Sequence, residues 1–115
     1  MSGEKLFSIG KKFFLKGKAE MKFPADERGD GFFAISAVYL IPFIVDNDKS
    51  AHLGQALLMM GEIRHRLRTD PAYWNDNYYL KEVIRRFPGG LLAKKAWDLL
   101  AADVKLGYTL SLIHI

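Results

Sequence analysis

Three groups of residues have types and spacings that could do chemistry. Arg64, Arg66 and Arg68, followed by Tyr73, Trp74, Tyr78 and Tyr79 and then by Arg85 and Arg86, interleave guanidinium groups with aromatic rings. Guanidinium groups pair with phosphates and rings stack on bases, so this stretch is read as a nucleic-acid or other anion-binding surface. On a helix Arg64 and Arg68 share one side while Arg66 is rotated away. A solvated helix face with core aromatics would use the same residues without any ligand.

The second group is made of oxygen and imidazole ligands. Asp46 and Asp48, two residues apart after an apolar run, could share a hard cation such as Mg²⁺, but a third carboxylate is needed. Glu62 and His65 have the i, i+3 spacing used by di-iron carboxylate bundles, which require two such motifs. Only Glu82 stands on a neighbouring expected helix, so a symmetric dimer would have to complete the set. Glu62 and Arg66, at i and i+4, are equally the partners of an ordinary surface ion pair. The third group is His52 beside Asp46 and Asp48, where a carboxylate could hold the imidazole tautomer for acid–base work. No nucleophile accompanies it: Ser50, two residues away on a helix, faces elsewhere. No catalytic residue and no cofactor is assigned on these grounds.

Phosphate-cradling loops of the Gly-x-Gly-x-x-Gly or Gly-x-x-x-x-Gly-Lys-Ser/Thr type do not occur. Gly89-Gly90 before a helix could admit a phosphate at its N-terminus, or could simply serve a turn. The chain has no Cys, which excludes a disulfide framework, a thiolate zinc site and a cysteine nucleophile.

The elements that must position these residues follow from periodicity. Leu15, Gly17, Ala19, Met21 and Phe23 alternate with Lys16, Lys18, Glu20 and Lys22, the pattern of a half-buried strand. A helical reading of the same region meets two glycines, which disfavour it. The expected N-terminal elements are therefore a strand near Lys5 to Ile9, a turn at Gly10-Lys11-Lys12 and a second strand to Phe23. Pro24 to Asp30 reads as a polar loop with its acids in solvent. Gly31 to Val45 is fifteen residues without a charge, and Pro42 within it suits a strand from about Phe33 to Ile41 that ends near the proline.

Helices dominate the rest. Leu53, Ala56, Leu57, Met60, Ile63 and Leu67 line one face of a helix from about Ser50 to Arg68. Asp70-Pro71 and Asn75-Asp76-Asn77 carry capping residues before a second helix lined by Tyr79, Leu80, Val83, Ile84 and Phe87, which Pro88-Gly89-Gly90 ends. A third helix is expected from about Leu91 to Leu106, with Gly107 as its stop. Leu110-Ser111-Leu112-Ile113-His114-Ile115 resembles a translated sequencing-adapter tail. On that resemblance residues 1–109 form the natural domain and the native chain continues past about Thr109.

Charge is distributed unevenly over the 115 residues, whose net charge is +4. Met1 to Lys22 carries six Lys and two Glu, whereas Phe23 to Ser50 carries five acids against Arg28 and Lys49. The opening residues lack the basic-then-apolar order of a secretory signal, so a cytoplasmic location is expected. The reading that results is one small α+β domain, an N-terminal antiparallel sheet of two or three strands packed against three C-terminal helices. Helical Lys5 to Lys18 and Phe32 to Ile41 would make it all-α instead. The expected role is that of a small binding module, not an enzyme, whose Arg and aromatic surface contacts nucleic acid or another anionic partner, including a protein. Two other classes compete: a membrane-associated protein with a basic N-terminus and an inserting 31–45 segment, and a metal-dependent enzyme built on Asp46, Asp48, Glu62 and His65 or His52.

Overall fold

Ser2 opens the first helix by accepting the Lys5 N–H on its hydroxyl oxygen at 3.2 Å, and Glu4 and Lys18 complement the two ends of the helix dipole. This helix, α1, spans Gly3–Glu20 and buries Phe7, Gly10, Phe14 and Gly17, a 3-4-3 spacing that selects one helical face. In the computed structural model, which describes residues 1–23, 26–67 and 77–101, no strand occurs. The α+β expectation is therefore corrected to an all-helical fold among the described residues.

The physical reason lies in the glycines that seemed to oppose a helix. Gly3, Gly10 and Gly17 recur every seven residues and form a strip on which the second helix, α2 (Asp30–Asp46), lies antiparallel. A Cβ on Gly10 would sit 2.6 Å from Leu40 Cδ2, and one on Gly17 2.8 Å from the Phe33 ring. A Cβ on Gly3 would run into the Asn47 side chain, and one on Gly29, just before α2, into the Gly17 carbonyl. The missing side chains let the two backbones approach, and Ser36 exploits this by donating its hydroxyl to the Gly10 carbonyl oxygen at 2.6 Å inside the interface. Each glycine forfeits up to about 1 kcal/mol of helix propensity, which the burial of Phe33 and Leu40 outweighs at roughly 1.5–3 kcal/mol each.

Pro42 lies inside α2, so the strand from Phe33 to Ile41 is also corrected. A proline removes one backbone donor, here the N–H that would have served the Val38 carbonyl four residues back. Val38 is 67% exposed, which places that carbonyl on the side of the helix where water can replace the lost donor. Within the connection between the helices, 26–29 is a loop and Glu27 is exposed as expected, but Asp26 is not in solvent. Asp26 is buried and accepts the Lys22 N–H at 2.9 Å and the Arg28 N–H at 3.1 Å, with the Arg28 guanidinium 3.3 Å away. These contacts, led by the Lys22 N–H, hold its carboxyl below the usual range, although burial opposes them.

The expected Ser50–Arg68 helix is α3, Leu53–Arg66, and the next is α4, Tyr78–Arg86. Pro88 and Gly89, the latter at φ 80°, turn the chain into α5, helical over 91–101. Two cores result. One gathers Phe7, Phe14, Phe33, Leu40 and Phe43 around Ala56, Met60 and Ile63 of α3; the other gathers Leu80, Val83 and Ala96 around Leu53 and Leu57 of α3. The expected caps at Asp70-Pro71 and Asn75-Asp76, the Gly107 stop and the 110–115 tail lie outside the described residues.

Two glycine substitutions of opposite sign test this packing. Gly31 has open space where its Cβ would stand, so Gly31→Ala is expected to stabilise by about 0.5–1 kcal/mol. At Gly17 the Phe33 ring, fully buried between Phe14 and Arg66, cannot yield, so Gly17→Ala is expected to destabilise by about 1–3 kcal/mol despite the gain in propensity. Urea unfolding of the two variants reads both signs; stabilisation by Gly17→Ala would remove the close-approach account.

Candidate functional site

The helix α2 is apolar around its whole circumference, and α1 and α3 cover only part of it. Ala34, Ile35, Val38, Ile41 and Val45 recur at 1, 3, 3 and 4 residues and are all exposed, Val38 by 67% and Val45 by 72%. With Gly31 they form an uncharged arc over roughly a third of the helix and about 21 Å along it. Asp30 and Asp46 close the arc at its two ends.

Along the seam with α1 the arc has an aromatic and basic border. Phe13 of α1 lies parallel to Phe32 and to Tyr39, with ring centroids 6.3 Å away in both cases. Lys16 Nζ stands 5.5 Å from the Phe13 centroid and 6.0 Å from that of Phe32, and Lys12 Nζ is 5.9 Å from Phe13. Lys5, seven residues before Lys12, shares its side of α1. The membrane alternative covers the basic N-terminus and the 31–45 segment as stretches, but Phe13, Phe32, Tyr39, Lys12 and Lys16 are not singled out by the sequence as site residues. The signal was present: once Gly31 to Val45 is placed on a helix, its apolar residues occupy every direction, more than a single buried face can use.

A concavity of about 500 Å³ lies between α1, α3 and α5. Its floor is Phe14, Leu58, Met59 and Leu92, and Lys11 and Lys95 stand at its edge. The Lys18 ammonium donates to Glu62 at 2.9 Å on the same wall. Leu15, 54% exposed, extends the apolar lining to the surface.

The arginines are dispersed. Arg85 donates to Glu82 twice, at 3.1 and 2.7 Å, and Arg86 once, at 2.8 Å, and these hydrogen bonds, those of Arg85 first, pull the Glu82 carboxyl down to about 2. Arg66 lies 3.9 Å from Glu62 and over the Phe33 ring. Arg64 is exposed on α3, near Asn77 and Tyr79 of the α4 end. Tyr78 is exposed and packs edge-on to Tyr79. Arg68, Tyr73 and Trp74 lie outside the described residues.

The metal candidates are not brought together. Asp46 and Asp48 are exposed at the start of the α2–α3 connection, whereas Glu62 and His65 sit near the far end of α3, about 14 Å along its axis from Leu53. Among the described residues no three His, Asp or Glu side chains gather as a metal site would require. His52 precedes α3 and stacks on Phe7, with centroids 4.4 Å apart and planes 10° from parallel, a packing role at the top of the first core.

The Glu82 cluster has a pH signature. Its carboxyl ordinarily titrates near 4.5 and is lowered to about 2 in the fold, so its stabilisation is complete above pH 4.5 and is lost as pH falls from there towards 2. Wild type is expected to exceed Glu82→Gln in stability by about 1 kcal/mol at neutral pH, and to match it near pH 2. Urea midpoints of both proteins across that range check this; a constant difference would rule out the ionised cluster as its source.

Comparison with known proteins assigns none of these surfaces: no family model matches the chain, and neither a curated protein nor a solved structure matches it.

Proposed function

We propose that this protein is a peripheral binding module that docks on an anionic membrane surface through the outer face of the α1–α2 hairpin. The observation that carries the reading is the uncharged arc of α2 with its border of Phe13, Tyr39, Lys12 and Lys16. Apolar side chains gain by leaving water for the acyl boundary, aromatic rings suit the headgroup level, and lysines keep their ammonium groups among anionic headgroups while their stems lie on apolar surface. Asp30 and Asp46 at the arc's ends favour a helix lying flat. No helix of the described residues is long and apolar enough to cross a membrane.

An anionic surface of another kind, nucleic acid, would use the arginines. The sharing of Glu82 by Arg85 and Arg86 and the placement of Arg66 beside Glu62 leave that reading with less unsatisfied positive charge. Metal-dependent catalysis has no assembled ligand set behind it among the described residues.

Co-sedimentation with vesicles tests the docking. Phosphatidylcholine vesicles containing phosphatidylserine are expected to retain the protein at low salt and less of it at high salt. Lys12→Glu with Lys16→Glu should weaken retention by at least about tenfold, since each lysine near such a surface contributes roughly 1 kcal/mol. Val38→Asp should remove most of it by placing a charge in the arc. Failure to bind these vesicles, joined to salt-sensitive binding of labelled nucleic acid that Arg64→Ala with Arg85→Ala weakens, would transfer the function to the arginine surface.

A further inference from the structure

We infer that the groove between α1, α3 and α5 is a binding site for a single-chain anionic amphiphile, a molecule with one apolar tail and one carboxylate or phosphate head. Its volume of about 500 Å³ falls within the roughly 300–1,000 Å³ of small-molecule sites. Its apolar lining includes the half-buried Leu58 and Leu92 and the buried Phe14 and Met59. Polar groups are confined to the walls and edge, the distribution expected for a ligand that hides a tail and exposes a head.

The charge of the edge selects the head. Three ammonium groups, Lys11, Lys18 and Lys95, and one carboxylate, Glu62, line the groove. Lys18 is committed to Glu62 at 2.9 Å, which neutralises the one acid among the described residues of the wall. Lys11 and Lys95 pair with no carboxylate among the described residues, and they belong to the two helices that flank the opening. An anionic head between them would offset that charge, a carboxylate by half and a phosphate more fully. A cationic head would meet them unfavourably, and a neutral one would gain nothing from them.

This site is distinct from the docking face. Lys11 and Lys12 are adjacent in sequence and point about 100° apart on the helix, Lys11 to the groove and Lys12 to the Phe13 ring. Tail binding in the groove therefore leaves the arc of α2 untouched, and each can fail without the other.

The test titrates the full isotope-labelled chain with dodecanoate and with a dodecanoyl lysophosphatidate, below micelle formation, against dodecanol and dodecyltrimethylammonium. Saturable binding of one molecule per chain is expected for the anionic pair, with shifts at the Gln55, Leu58 and Leu92 amides; the tighter of the two identifies the head as carboxylate or phosphate. Affinity should fall roughly tenfold for dodecanol, and by as much for the anionic pair in Lys11→Glu with Lys95→Glu. Gln55→Trp, which fills the groove from α3, should abolish binding while helicity is kept, and serves where the charge-reversed variant does not fold. Equal affinity for all four heads, binding unchanged by Gln55→Trp, or shifts confined to Val38 and Ile41 would each overturn the assignment.

Discussion

The architecture depends on how closely α1 and α2 can approach. That distance is set by the absence of three side chains, at Gly3, Gly10 and Gly17, and is used by one polar contact, Ser36 to the Gly10 carbonyl oxygen. A larger residue at any of these positions would push α2 outward and empty the space that Phe33 and Leu40 now fill. The seven-residue repeat also fixes register, because sliding α2 by one residue would rotate its face by about 100° and set side chains against the strip. Everything on the outer surface inherits that register. The seam where Phe13 meets Phe32 and Tyr39, with Lys12 and Lys16 over the rings, exists only because the glycine strip has turned those residues outward together.

The two surfaces of interest differ in what they offer a partner. The arc of α2 is broad, convex and uncharged, and suits a surface that is itself extended. The groove behind α1 is concave, partly open and lined by three lysines, and suits a molecule that is partly enclosed. Both draw lysines from α1, whose sequence places Lys11 and Lys18 on one side and Lys12 and Lys16 on the other. A helix so rich in one charge would repel itself in isolation; aromatic faces and Glu62 absorb part of that charge here.

Legibility varied along the chain for physical reasons. The three-and-four spacing from Leu53 to Leu67 announced α3, because that helix has apolar residues directed to a core and polar ones elsewhere. The N-terminal half misled, since Leu15 to Phe23 satisfies a period of two as well as part of a helical one. The glycines then read as breakers when their role is contact. Pro42 reinforced the error: propensity weighs its missing donor, whereas the fold places the affected carbonyl at the water-facing side. Asp26 was unreadable as a buried residue because its two hydrogen bonds come from backbone N–H groups, which leave no trace in sequence, and its ion pair with Arg28 would suit a surface loop equally well. Of the arginine set, the i, i+3 and i, i+4 spacings to Glu82 were already in the sequence, and an ion-pair reading would have anticipated their pairing.

The helix α3 belongs to both cores, giving Met60 and Ile63 to one and Leu53 and Leu57 to the other. Melting either side would strip one of its two apolar faces and leave the helix held by the other alone. The two halves are therefore coupled through α3, each losing part of its support when the other opens, although the hydrophobic interior is divided in two.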